Sequence, residues 1–170
     1  MARRIAHIAI LFLILVLAQV LIFNHILLFG VAAPIVFIYV ITRMPTDCGF
    51  NTIITIGFLM GLLVDICADT LGMNALACTI LAAVRKPVLL SYVQHDDNLS
   101  EIIPSTFTLG IWNYSKYMLT MVLIYCLIYF SIEFFSLANI GDILLMATAS
   151  TLLSFPLLLG IDSLMKKNRE

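Results

Sequence analysis

Two carboxylates four residues apart, Asp65 and Asp69, have the spacing in this sequence best suited to chemistry. On a continuous helix an i, i+4 pair shares one face, and convergent carboxylates are what a hard divalent cation takes as ligands. Other sets are thin. His7, His25 and His95 belong to three separate regions, and neither H-E-x-x-H nor G-x-S-x-G occurs. His95-Asp96-Asp97 imitates an acid–base pair, although a solvated loop accounts for it more simply. Cys48, Cys67, Cys78 and Cys126 lack a C-x-x-C spacing. That argues against a disulfide framework or a zinc site, and for small packing residues of the kind often buried.

Gly61-x3-Asp65-x3-Asp69 reproduces the second half of the CDP-alcohol phosphotransferase motif. The first half, D-x2-D-G-x2-A-R, would have to fall on Met44, Asp47, Cys48, Asn51 and Thr52, of which only Asp47 agrees. The enzyme reading is therefore rejected. The expectation is a protein without catalytic residues, metal or cofactor. The net charge of −1 and the lack of a basic patch give no reason to expect nucleic acid as a partner.

The elements that must position these residues follow from composition. Of 170 residues, 62% are hydrophobic and 11% charged, against about 45–50% apolar and about 25% charged in a soluble domain. Such a chain needs lipid as solvent. A helix crosses a bilayer with about 20 apolar residues, so the whole chain reads as one domain of six transmembrane helices. The expected spans are residues 5–23, 26–42, 49–66, 72–93, 111–135 and 140–165. The second is short, with Gly30 and Pro34 near its start, and part of it reads as a bent or re-entrant entry. The first resembles a signal peptide but is longer than the usual apolar run of about 7–15 residues, so it reads as a retained helix. Gln94–Glu101 is the longest polar stretch, and Leu99, Ile102, Ile103 and Phe107 after it could lie along the interface.

With the N-terminus inside, six passes place Arg3, Arg4, Arg43, Arg85, Lys86, Lys116, Lys166, Lys167 and Arg169 at cytoplasmic ends. The outer turns keep only Asp65, Asp69, Glu133 and Asp142. This is the distribution of the positive-inside rule. Arg85 and Lys86 come early for the end of the fourth span, which either begins sooner or lets them snorkel. Asp65 and Asp162 fall near helix ends, where carboxylates reach water or headgroups cheaply.

Gly57-Phe-Leu-Met-Gly61-Leu-Leu-Val-Asp65 is the most informative segment. Gly57 and Gly61 share a face and permit close approach of a helix, from this bundle or from a partner. The Asp65 carboxylate is placed to accept hydrogen bonds from the backbone of the Thr70–Asn74 turn. Together with Thr70-Leu-Gly72-Met-Asn74-Ala-Leu76 and Arg85, this segment resembles the rod shape-determining protein MreD family, in the form found in Bacteroidota. The likeness extends to Gln19–Asn24 and to Glu133–Ser136, although Asn74 stands where related sequences often carry His.

The resemblance implies a non-enzymatic component of the bacterial inner membrane that serves the cell-elongation machinery. It would associate with MreC and, through it, with MreB and the peptidoglycan synthase pair. It further implies a fold similar to the S-component of energy-coupling-factor transporters, and marks Gly57, Gly61, Asp65, Gly72, Asn74 and Arg85 as helix-packing or partner-binding candidates. A substrate-binding S-component of a vitamin transporter is the alternative. Ala2-x3-Ala6 matches the contact motif of those proteins, but at the charged terminus rather than inside a span, and the outer turns are minimal for a vitamin pocket.

Overall fold

The computed structural model describes residues 2–21, 34–93, 103–134 and 140–167. All the regular structure among them is helical: α1 (Ala2–Leu21), α2 (Tyr39–Arg43), α3 (Phe50–Ala68), α4 (Met73–Leu90), α5 (Gly110–Phe134) and α6 (Ile140–Lys167). Four are long and apolar enough to cross a membrane, namely α3, α4, α5 and α6, and Ile10–Leu21 of α1 adds a shorter apolar stretch. The chain is a multi-pass, all-α membrane protein. The break at Asn24-His25, the front of the second expected span, the whole polar stretch Gln94–Glu101 with its His95-Asp96-Asp97, and Ile102 lie outside the described residues.

In lipid, a backbone polar group without a partner costs several kcal/mol, so spanning segments close their own hydrogen bonds as helices. The departures from this rule lie inside the protein. The second expected span, read in part as a bent or re-entrant entry, is irregular over Pro34–Val36 and α-helical over Tyr39–Arg43. This non-helical stretch is tolerated because side chains take its free N–H groups. Gln19 accepts from the Val36 N–H at 2.9 Å and donates to the Pro34 carbonyl at 3.0 Å, while Ser154 on α6 accepts from the Ile35 N–H at 2.8 Å. Residues 34–42 are all buried. Phe37 meets Tyr125 of α5 edge to face, with ring centroids 5.8 Å apart.

Packing follows the chain: α3 lies against α4, α4 against α5, and α5 against α6, with α1 against α3. Outward faces carry large apolar side chains such as Leu13, Phe58, Leu63 and Leu152, as a lipid-facing surface requires. One end of the bundle collects the finish of α2, α4 and α6 and the start of α3 and α5; it is called the basic end below. The other end holds the turn from α3 to α4 and the finish of α5.

Candidate functional site

The α3–α4 joint is built on absent side chains. A Cβ added at Gly57 would stand 2.9 Å from the Cys78 carbonyl oxygen and 3.0 Å from the Ala82 Cβ. One added at Gly61 would run into the backbone of Asn74 and Ala75. The two helices are thus in backbone contact at Gly61, and the small-residue face is spent inside this chain on α4 rather than on a partner's helix.

The turn that permits this contact uses left-handed backbone twice. α3 stops at Ala68 because Asp69 adopts φ 54°, and Gly72 opens α4 at φ 78°, where glycine carries no Cβ penalty. Asp69 therefore does not continue the helix, and the i, i+4 pairing of Asp65 with Asp69 as a two-carboxylate face is corrected. Among the described residues no group of three or more His, Cys, Asp or Glu is arranged to hold a metal ion.

Asp65 is buried, at 3% exposure, which corrects the expectation that it reaches water or headgroups. Its carboxylate is taken by the start of α4. Oδ1 accepts from the Thr70 hydroxyl, from the Asn74 N–H at 3.1 Å and from Asn74 Nδ2 at 2.9 Å. Oδ2 accepts from the Ala75 N–H at 2.8 Å. The first N–H groups of a helix have no partner within it, and an anion there is favoured by the helix dipole. Asp65 thus caps α4 from the neighbouring helix. Tyr125 on α5 donates its hydroxyl proton to Asn74 Oδ1, which ties a third helix to the joint. Gly57, Gly61, Asp65, Gly72 and Asn74 come together here; Arg85 does not.

Arg85 lies toward the other end of α4 and is buried, at 1% exposure. Neither alternative for it holds: α4 begins at Met73, no sooner than expected, and the side chain does not snorkel; Lys86 is the exposed member of that pair. Sequence reasoning also undervalued Asp162, which was expected near a helix end but is 2% exposed. It holds Arg43 at 2.9 Å, accepts from Tyr39 at 2.8 Å, from Tyr114 at 3.2 Å and, on Oδ2, from Thr106 at 2.9 Å. Arg43 also donates to the Tyr39 hydroxyl and stacks over that ring, 5.6 Å from its centroid. The available signal was an ionisable residue inside the last apolar run, which in a membrane marks a functional position by default. Cys78 and Cys126 are buried as packing residues; Cys67 is exposed and Cys48 half-buried.

No family model, curated protein or solved structure matches this chain.

Proposed function

We propose that this chain is an MreD-like, non-enzymatic scaffold of the bacterial inner membrane. In this reading it crosses the membrane six times in an S-component-like arrangement, with both termini in the cytoplasm. It would serve cell elongation and lateral peptidoglycan synthesis by binding MreC, and through it would connect to MreB and the synthase pair. One observation carries the reading: the residues of the resembling segment are spent on rigidity. Gly57 and Gly61 admit α4 to backbone contact, and both oxygens of Asp65 accept bonds from the start of α4. A carboxylate so engaged suits a fixed joint better than proton transfer. The gathering of Lys and Arg toward one end of the expected spans supports the orientation.

The test is recovery of the tagged chain from mild detergent with its partners identified. Enrichment of MreC is the expected result, and loss of rod shape on deleting the chromosomal copy should accompany it. Recovery of an energy-coupling module with a tightly held vitamin would overturn the proposal. Reporter fusions at Glu170 and Asn139 should read cytoplasm and periplasm respectively. A periplasmic C-terminus would remove the six-pass arrangement while leaving the partner result to stand or fall separately.

A further inference from the structure

Asp65 and Asp162 have their partners; Arg85 has only part of its own. Its side chain is 1% exposed, yet Nε and Nη2 find no hydrogen-bond acceptor among the described residues. A guanidinium does not shed its proton in a protein, so burial leaves a fixed positive charge. The groups facing it do not neutralise that charge. The Tyr117 hydroxyl accepts a hydrogen bond from the guanidinium, a neutral partner, and gives its own proton to the Thr42 carbonyl at 3.0 Å. Cys48 is the other neighbour; burial, then Asp47, push its thiol up while Arg85 pulls it down, with a net upward shift that keeps it protonated. Asp162 is committed to Arg43, and Asp65 belongs to the opposite end of the bundle.

Nε and Nη2 form one edge of the guanidinium plane. Their two N–H bonds run parallel, the fork that takes two oxygens of one phosphate or carboxylate. We propose that Arg85 anchors a phosphate-binding site at the basic end of the bundle, its free edge holding two oxygens of a phosphate group carried by an anionic lipid headgroup or by free phosphate. The position suits a headgroup. Arg85 is five residues from the end of α4 at Leu90, about 7.5 Å along the axis at about 1.5 Å per residue, and Lys86 and Lys116 are exposed toward that end.

A ligand on so buried a side chain exchanges slowly, so the measurement begins with what copurifies. The full chain is purified in neutral detergent and its native mass spectrum recorded, expecting one retained phosphatidylglycerol that survives detergent exchange. After delipidation, phosphatidylglycerol should raise the melting temperature and phosphatidylcholine should not. An equal rise with millimolar inorganic phosphate would place recognition in the phosphate alone, and would identify free phosphate as a sufficient source. Arg85→Met should lose the bound lipid and the response to both probes. It should also melt higher than wild type when no anion is present, because it removes an uncompensated buried charge; a purely structural arginine would give the opposite sign. Arg85→Lys keeps the charge without the fork and should bind at least tenfold more weakly. Lys86→Gln should behave as wild type. The proposal is overturned if delipidated wild type responds to neither probe, the outcome expected were the guanidinium met only by a partner protein's carboxylate. It is equally overturned if Arg85→Met, or Arg85→Lys should the Met variant not accumulate, retains lipid as wild type does.

Discussion

Asp65 and Asp162 are both buried aspartates, and they are satisfied in opposite ways. Asp65 pairs with no cation among the described residues; it accepts from a hydroxyl, an amide and two backbone N–H groups, all within ten residues of it in sequence. Asp162 has Arg43 and hydroxyls from Tyr39, Tyr114 and Thr106, contributed by segments 48 to 123 residues away. The first fixes a turn and the second fixes a topology. Asp65 can do its work once α3 and the start of α4 exist, whereas Asp162 holds together α2, the segment before α5, α5 and α6.

If this contrast is right, the largest effect belongs to Asp162→Leu. Removing one partner of a buried ion pair costs about 3–5 kcal/mol, because the other is left uncompensated. The variant should melt far below wild type in detergent. The double change Arg43→Met with Asp162→Leu should recover part of that loss; strict additivity would show that the two residues do not act as a pair. Gly61→Leu comes next. Overpacking typically costs about 1–3 kcal/mol, and contact with the Asn74 and Ala75 backbone leaves little room to relax, so the effect should lie at the upper end. Wild-type abundance of this variant in membranes would mean that the two helices can part without cost.

Asp65→Asn should be milder. The amide retains an oxygen for the three donors at Oδ1 but turns its NH2 toward the Ala75 N–H. The loss is one hydrogen bond, about 0.5–1.5 kcal/mol, with most protein retained. Asp65→Leu offers no acceptor and should fall well below it. Cells that round up while Asp65→Asn is present at normal level would show that the charge, not the joint, carries the function. Tyr125→Phe is the smallest perturbation. It removes one donor to Asn74 while keeping the ring against Phe37, and should shift the melting temperature by no more than a single hydrogen bond allows.

The same contrast explains what the sequence made legible. α3 to α6 follow from uninterrupted apolar runs, with ends displaced by three residues or fewer, and the α3–α4 joint follows from glycine spacing and a nearby carboxylate. All of that information is local. Gly30 and Pro34 gave notice of a bend in the second expected span, but not of Gln19 and Ser154, which compensate its broken backbone from α1 and α6. No feature of residues 34–36 themselves announces those partners. Arg85 and Asp162 were misplaced for a related reason. The expected spans ran past both residues, but hydropathy does not say which face of a helix a charge occupies, and only three-dimensional packing shows a charge enclosed by its neighbours.

The bond between the Ile35 N–H and Ser154 has a consequence for biosynthesis. Chains emerge from the ribosome N-terminus first, so residues 34–43 are made well before α6. During that interval the Ile35 N–H lacks Ser154, and Arg43 lacks its carboxylate. The first half of the protein must therefore be held by the insertion machinery, or by a chaperone beside it, until the last helix arrives. A chain stopped after Phe134 should be inserted and then degraded, and co-expression of residues 135–170 as a separate peptide should rescue it.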